Sequence, residues 1–170
     1  MQHIAILDMG GTINGILDPD DAPPSHSLVI DYVAAKAESF GIHIRGQQIV
    51  MKDSRAVTDA DRDALLGAIR RSEEDALLVP HGTFTLATTG EYIAHALQAE
   101  PTAGASQKRI VLVGARYPLG AEDSDAPHRL KFAINALLTA EPGVWVAMED
   151  KLWRPHTVTK DLDSGRFVPR

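Results

Sequence analysis

Cysteine is absent from this 170-residue chain, which excludes disulfides and thiolate chemistry. Long hydrophobic runs are absent too, so nothing in the sequence is built to span a bilayer. Positive charge is in short supply: 17 Lys and Arg stand against 23 Asp and Glu, a formal net charge of −6. That balance argues against a protein that tracks nucleic-acid phosphates. No basic stretch precedes the first apolar run and no small-residue cleavage site follows it, so the N-terminus does not read as a signal peptide. A cytoplasmic protein fits these absences. The histidines are scattered, none at metal-ligand spacing from another histidine or a carboxylate, and no metal or cofactor is predicted. There is no internal repeat, low-complexity tract or linker.

What remains is an ordinary globular composition, 44% hydrophobic, with length enough for one domain over residues 1–170. Short apolar runs at 2–8, 42–51 (one or two pieces), 76–80, 109–113 and 143–148 read as strands. Helical patterns fall between them. One covers 27–40, apolar at Leu28, Val33, Ala37 and Phe40, and stops at Gly41. A second follows Thr58, an N-cap with Asp61 three residues on, and carries Leu65, Leu66 and Ile69. A third, 86–99, buries Leu86, Tyr92 or Ile93, Ala96 and Leu97. A fourth, 126–139, carries Leu130, Ile134, Leu137 and Leu138, with Asp125 as cap and Pro127 in its first turn. Gly104-Ala105-Ser106 reads as a turn. Residues 9–26, rich in Gly, Pro and Asp, predict a loop, with 14–26 as a candidate lid. The alternation predicts an α/β fold: three layers, with a doubly wound, mostly parallel sheet of flavodoxin/Rossmann-like type.

Two strand ends share one design. Ile4–Leu7 runs into Asp8-Met9-Gly10-Gly11-Thr12, and Ala76–Val79 into Pro80-His81-Gly82-Thr83. Each puts a threonine hydroxyl beyond the carboxyl end of a strand, the edge at which open α/β sheets bind ligands. Glycine lets the backbone turn sharply and bring N–H groups close to a substrate. The first turn is one residue away from an aspartyl-phosphatase motif, with Asp8 as nucleophile, but Gly10 stands where the general acid is needed. A dinucleotide fingerprint fails for want of a third glycine. A plain tight turn is the structural alternative. The helix expected from Leu86 would aim free N–H groups at the second turn, favouring a carboxylate or an oxyanion. Thr83 or Thr85 could equally cap that helix. Lys160 alone would be a solvated surface residue; it can act as a base only if its surroundings lower its pKa. Asp53-Ser54-Arg55 reads either as a substrate-holding pair or as a loop turn.

Gly10-Gly11-Thr12-Ile13, Asp53-Ser54, His81-Gly82-Thr83, Val113-Gly114-Ala115, Ser124-Asp125-Ala126-Pro127 and Val158-Thr159-Lys160 occur in that order. Together they resemble the bacterial-type L-asparaginase/glutaminase family across almost the whole chain. The likeness is to its N-terminal domain and to short-chain members, which end in a Gly-Arg-Phe stretch, here Gly165-Arg166-Phe167. The resemblance implies hydrolysis of L-asparagine, or related amides, to a carboxylate and ammonia. Thr12 matches the nucleophile that forms a β-acyl intermediate. Thr83 and Lys160 match the activating threonine and lysine. Gly11, Asp53, Ser54, Gly82 and Phe84 fall at matching substrate-binding positions, with backbone N–H groups at Thr12 and Thr83–Phe84 for the oxyanion. A homo-oligomer, dimer or tetramer, is implied as well. Three departures accompany it. Phe84 replaces an aspartate that links threonine to lysine and holds the substrate amino group. The lid tyrosine has no clear match within 14–26, where Asp20, Ser25 and His26 are the polar residues. Met9 replaces a threonine. A short-chain member would also lack an acidic residue supplied by a second domain. The alternative function is a family relative that binds an amino acid or carboxylate without turning it over.

Overall fold

The computed structural model describes residues 1–99, 104 and 107–170. In chain order the main elements are β1 (Gln2–Gly10), α1 (Leu28–Phe40), β2 (Ile42–Lys52), α2 (Asp59–Arg71), β3 (Ala76–Pro80) and α3 (Leu86–Ala99). Then come β4 (Arg109–Val113), α4 (Ala126–Thr139), β5 (Gly143–Met148), β6 (Lys151–Trp153), β7 (Val158–Lys160) and β8 (Phe167–Pro169). The main sheet runs β2-β1-β3-β4-β5-β6. Its first five strands are parallel, and β6 returns antiparallel to β5. The strands β7 and β8 form a separate antiparallel hairpin.

Alternation along β1 explains the layers. Ile4 and Ile6 face one side and pack with Val29 and Val33 of α1 and Leu130, Ile134 and Leu137 of α4. Ala5, Leu7 and Met9 face the other side, with Leu65, Leu66 and Ile69 of α2 and Leu86 and Ile93 of α3. A central strand covered by helices on both faces has to be apolar on both, and so reads as a continuous run.

Helix ends follow local chemistry. Ser27 caps α1 by accepting from the Ile30 N–H, and Gly41 ends it in a left-handed conformation. At α2 Thr58 and Asp61 form a reciprocal capping box, as the sequence predicts.

Several expectations need correction. The strand β1 extends through Met9 and Gly10, and a 3-10 turn at Thr12–Asn14 follows it, within the segment expected to be loop. Of the one or two pieces expected over 42–51, the structure has one, a single strand that runs one residue further. Of the two alternatives offered in α3, Ile93 is the fully buried one, as Leu86 is, while Tyr92 packs from the side. Val29 is the deepest apolar residue of α1 together with Val33. Asp125 stands at the N-cap of α4 without a side-chain capping bond; its carboxylate instead accepts the N–H groups of Arg116 and Tyr117. Three short strands follow β5, beyond the apolar runs that the sequence marks as strands. The turn expected at Gly104-Ala105-Ser106 lies, for its last two residues, outside the described residues.

Candidate active site

The neighbours β1 and β3 are separated in sequence by β2, which lies outside β1 at the sheet edge. The strand order therefore reverses between them, and their carboxyl ends diverge into the crevice where such sheets bind ligands. Both glycine–threonine turns emerge there.

The turns pack backbone against backbone. Gly11 has φ +83°, and a Cβ on it would lie 2.3 Å from Gly82 Cα. A Cβ on Gly82 would lie 2.7 Å from Ser54 Cβ. On the third side, a Cβ on Gly114 would meet the His81 carbonyl and Thr83 Cγ2, both at 2.8 Å. Glycine at these positions is a condition of the close approach.

Buried polar groups hold each turn from below. Asp8 accepts from the Gly10 N–H at 2.9 Å, from Asn14 Nδ2 on both carboxylate oxygens, and from the Ser27 hydroxyl. Asn14 in turn accepts from the Val29 N–H. Burial pushes the Asp8 carboxyl up to about 6, with these donors opposing the rise. Below the second turn, His81 is buried and its Nδ1 donates to the Gly82 carbonyl at 2.7 Å. Its Nε2 accepts from the Thr89 hydroxyl, and Arg62 Nε donates to that same hydroxyl. Burial drives His81 down to about 4, so the ring is neutral and its tautomer follows from the two bonds.

The hairpin of β7 and β8 carries Lys160 across to the second turn. Val158 and Phe167 anchor that hairpin by burying in the core beside Leu86. Lys160 Nζ donates to Thr83 Oγ1 at 2.8 Å. The same ammonium sits 3.8 Å from the Phe84 ring centroid, and the Arg55 guanidinium 4.5 Å from that ring. Burial, then the positive charges of Arg116 and Arg55, hold the Lys160 amine below the usual lysine range, while Asp53 pulls the other way. The aromatic face favours the charged form and also opposes the shift. Phe84 is 45% exposed and does not come between Thr83 and Lys160.

Thr12, Thr83, Phe84 and Lys160 line one cleft of about 520 Å³. The Thr12 hydroxyl holds no hydrogen bond to another described residue. Among the described residues, no backbone bond outside helices and strands takes the N–H of Thr12, Gly82, Thr83 or Phe84. The remaining sequence-predicted residues stand behind this wall. Gly11 and Gly82 form the contact between the turns. Ser54 is 1% exposed, accepts from the Thr85 N–H at 3.3 Å and receives the Thr85 hydroxyl on its carbonyl. The Asp53 carboxylate accepts three bonds from Arg55, which hold it below the usual carboxylate range. Arg55 also donates to the Leu17 carbonyl, tying the expected lid segment to the site.

Sequence reasoning missed Arg116, Arg129, Glu149 and Arg166, which line the same cleft. Arg116 directly follows Val113-Gly114-Ala115 and Arg166 sits within Gly165-Arg166-Phe167, so proximity to those motifs was the available signal.

The family model for the asparaginase N-terminal domain matches residues 3–166. The L-asparaginase of Thermococcus kodakarensis is 29% identical over 92% of this chain and 47% of its own length. A probable periplasmic L-asparaginase of Haemophilus influenzae is 31% identical over 94% of this chain and 46% of its own length. Among solved structures, a probable cytoplasmic L-asparaginase from Campylobacter jejuni superposes with a TM-score of 0.80 at 28% identity, covering 99% of this chain and 53% of that one. The chain thus spans about half the length of the relatives it matches.

Proposed function

The chain belongs to the asparaginase family through its N-terminal domain, and from that premise we propose that it is an amidohydrolase of the L-asparaginase type. Thr12 is the nucleophile. Its oxygen forms a bond to the amide carbon while the hydroxyl proton passes to the base, and the C–N bond breaks with a proton delivered to ammonia. Water then cleaves the acyl ester and regenerates Thr12. Thr83 and Lys160 supply the base, and the N–H groups of Thr12, Thr83 and Phe84 receive the oxyanion. The observation that carries this reading is the 2.8 Å contact between Lys160 Nζ and Thr83 Oγ1 in the cleft that Thr12 also lines. A lysine serves as a base when its pKa is lowered; here it lies within hydrogen-bond reach of Thr83, while the Thr12 hydroxyl lines the same cleft unbonded among the described residues.

The test is ammonia release from L-asparagine and L-glutamine by the parent chain and by Thr12→Ala, Thr83→Ala and Lys160→Ala. Each variant is expected to lose about a thousandfold or more in kcat, as removal of a catalytic hydroxyl or its base does elsewhere. Undiminished activity in Thr12→Ala would remove Thr12 as nucleophile. A parent inert on every amide tried would leave a binding protein in place of an enzyme.

A further inference from the structure

The cleft is cationic although the chain is acidic. Arg116, Arg129, Lys160 and Arg166 line it, and Glu149 is the one carboxylate among its described lining residues, against a net charge of −6 for the whole chain. Internal pairing offsets this in part. Arg129 is engaged by Asp125 and lies 3.5 Å from Glu149. Arg166 stands 3.8 Å from Glu149, with its side chain 68% exposed. Arg116 has no carboxylate within ion-pair distance among the described residues; its guanidinium reaches the Ser164 carbonyl at 3.4 Å. Lys160 is bound to a neutral hydroxyl and an aromatic face.

The carboxylates that could hold a positively charged ligand group are already engaged among the described residues. Asp53 receives three bonds from Arg55 and its side chain is 5% exposed. Glu149 is shared between two arginines and the Phe167 N–H. Where the family aspartate would present a carboxylate, Phe84 presents a ring already occupied by two cations. An ammonium entering beside Phe84 would find no free carboxylate, since Asp53 is already committed to Arg55 and Glu149 to two arginines, and an ammonium taken from water unpaired is costly. A carboxylate entering there would find the Arg116 guanidinium unneutralised by any described carboxylate.

We propose that this cleft selects ω-amides that carry a carboxylate and no ammonium group, the monoamides of simple dicarboxylic acids, over L-asparagine. The proposal rests on the amidohydrolase reading for the amide and on the charge arrangement for the acid. The reaction adds water across the amide and yields the dicarboxylate and ammonia, with no co-reactant. Arg116 is the specificity residue: it faces the acid end of the substrate while Thr12 faces the amide.

The test separates binding from turnover. Calorimetry with succinate and with L-aspartate, which differ by the ammonium group, is run on the parent, Arg116→Gln and Phe84→Asp. Succinate should bind the parent at least about tenfold more tightly than L-aspartate. Arg116→Gln should weaken succinate more than L-aspartate, and Phe84→Asp should reverse the preference. Equal or tighter binding of L-aspartate, no binding of succinate, or a ratio untouched in Arg116→Gln each overturns the proposal. Ammonia release from succinamate and L-asparagine runs alongside. Selective succinate binding without hydrolysis of either amide sustains the acid selectivity and removes the amidohydrolase reading. Faster hydrolysis of L-asparagine does the reverse.

Discussion

Lys160 has to be neutral to take a proton, and its surroundings decide at what pH that happens. Burial is the largest influence holding its amine below the usual lysine range, and the cations of Arg116 and Arg55 add to it. The rate constant kcat/KM is therefore expected to rise with pH as Lys160 loses its proton, giving an alkaline limb. Arg116→Gln removes one of the two repelling cations, so the lysine holds its proton longer and the limb moves to higher pH. Phe84→Leu removes the aromatic face, which stabilises the ammonium by about 0.5–2 kcal/mol in such contacts, so the limb moves to lower pH. A pH–rate profile of the parent and the two variants on the best amide reads both shifts. Limbs that coincide in all three would mean that a group other than Lys160 sets the rate.

The elements differ in how openly the sequence announces them, and the differences have physical causes. The strands β1, β3, β4 and β5 lie inside the sheet, so each is an apolar run that declares itself. The edge strand β2 is exposed over much of its length and mixes Arg45, Gln47 and Gln48 with its apolar residues, which hides its continuity. The strands β6, β7 and β8 are three residues each and are fixed by packing across the chain, with little local pattern to read. The glycine–threonine turns were legible because glycine marks a backbone demand. The cationic lining was not, because Arg116, Arg129 and Arg166 are far apart in sequence and only the fold gathers them. The β5–β6 turn shows what a local rule can still yield. Glu149 and Asp150 both adopt left-handed conformations, φ +56° and +53°, the geometry of a two-residue hairpin turn that prefers Asn-Gly. Asp150 carries the backbone strain of a residue with a Cβ, and its exposed pair with His128 returns little. Asp150→Gly is expected to stabilise the chain by about 1 kcal/mol, seen as a higher urea midpoint with an unchanged slope. A lower midpoint would show that the His128 contact outweighs the strain.

At the scale of the whole molecule, two buried titratable groups at the ends of adjacent strands pull stability in opposite directions. Asp8 titrates near 6 in the fold against 3.8 unfolded, so the folded chain binds its proton more tightly. Its contribution is present at low pH and is lost as pH rises through about 6, a change on the order of 3 kcal/mol. His81 titrates near 4 in the fold against 6.5 unfolded, so the folded chain resists its protonation. That contribution is present above 6.5 and is lost as pH falls through about 4, again on the order of 3 kcal/mol. The two windows overlap and the slopes oppose. Carboxylates held below their ordinary range, among them Asp53, Asp61 and Asp125, give up their contributions as the pH falls further. Unfolding free energy of the parent should therefore stay nearly level between about pH 4.5 and 6. Asp8→Asn keeps the size of the side chain and removes its proton. Whatever the substitution costs in absolute stability, it should uncover the histidine slope, a fall of about 2 kcal/mol from pH 6 to 4.5. Urea unfolding of both chains at half-unit steps of pH measures this directly. A level profile in Asp8→Asn would mean that Asp8 does not carry the compensating proton, and a sloping parent would mean that His81 and Asp8 are not balanced in the fold.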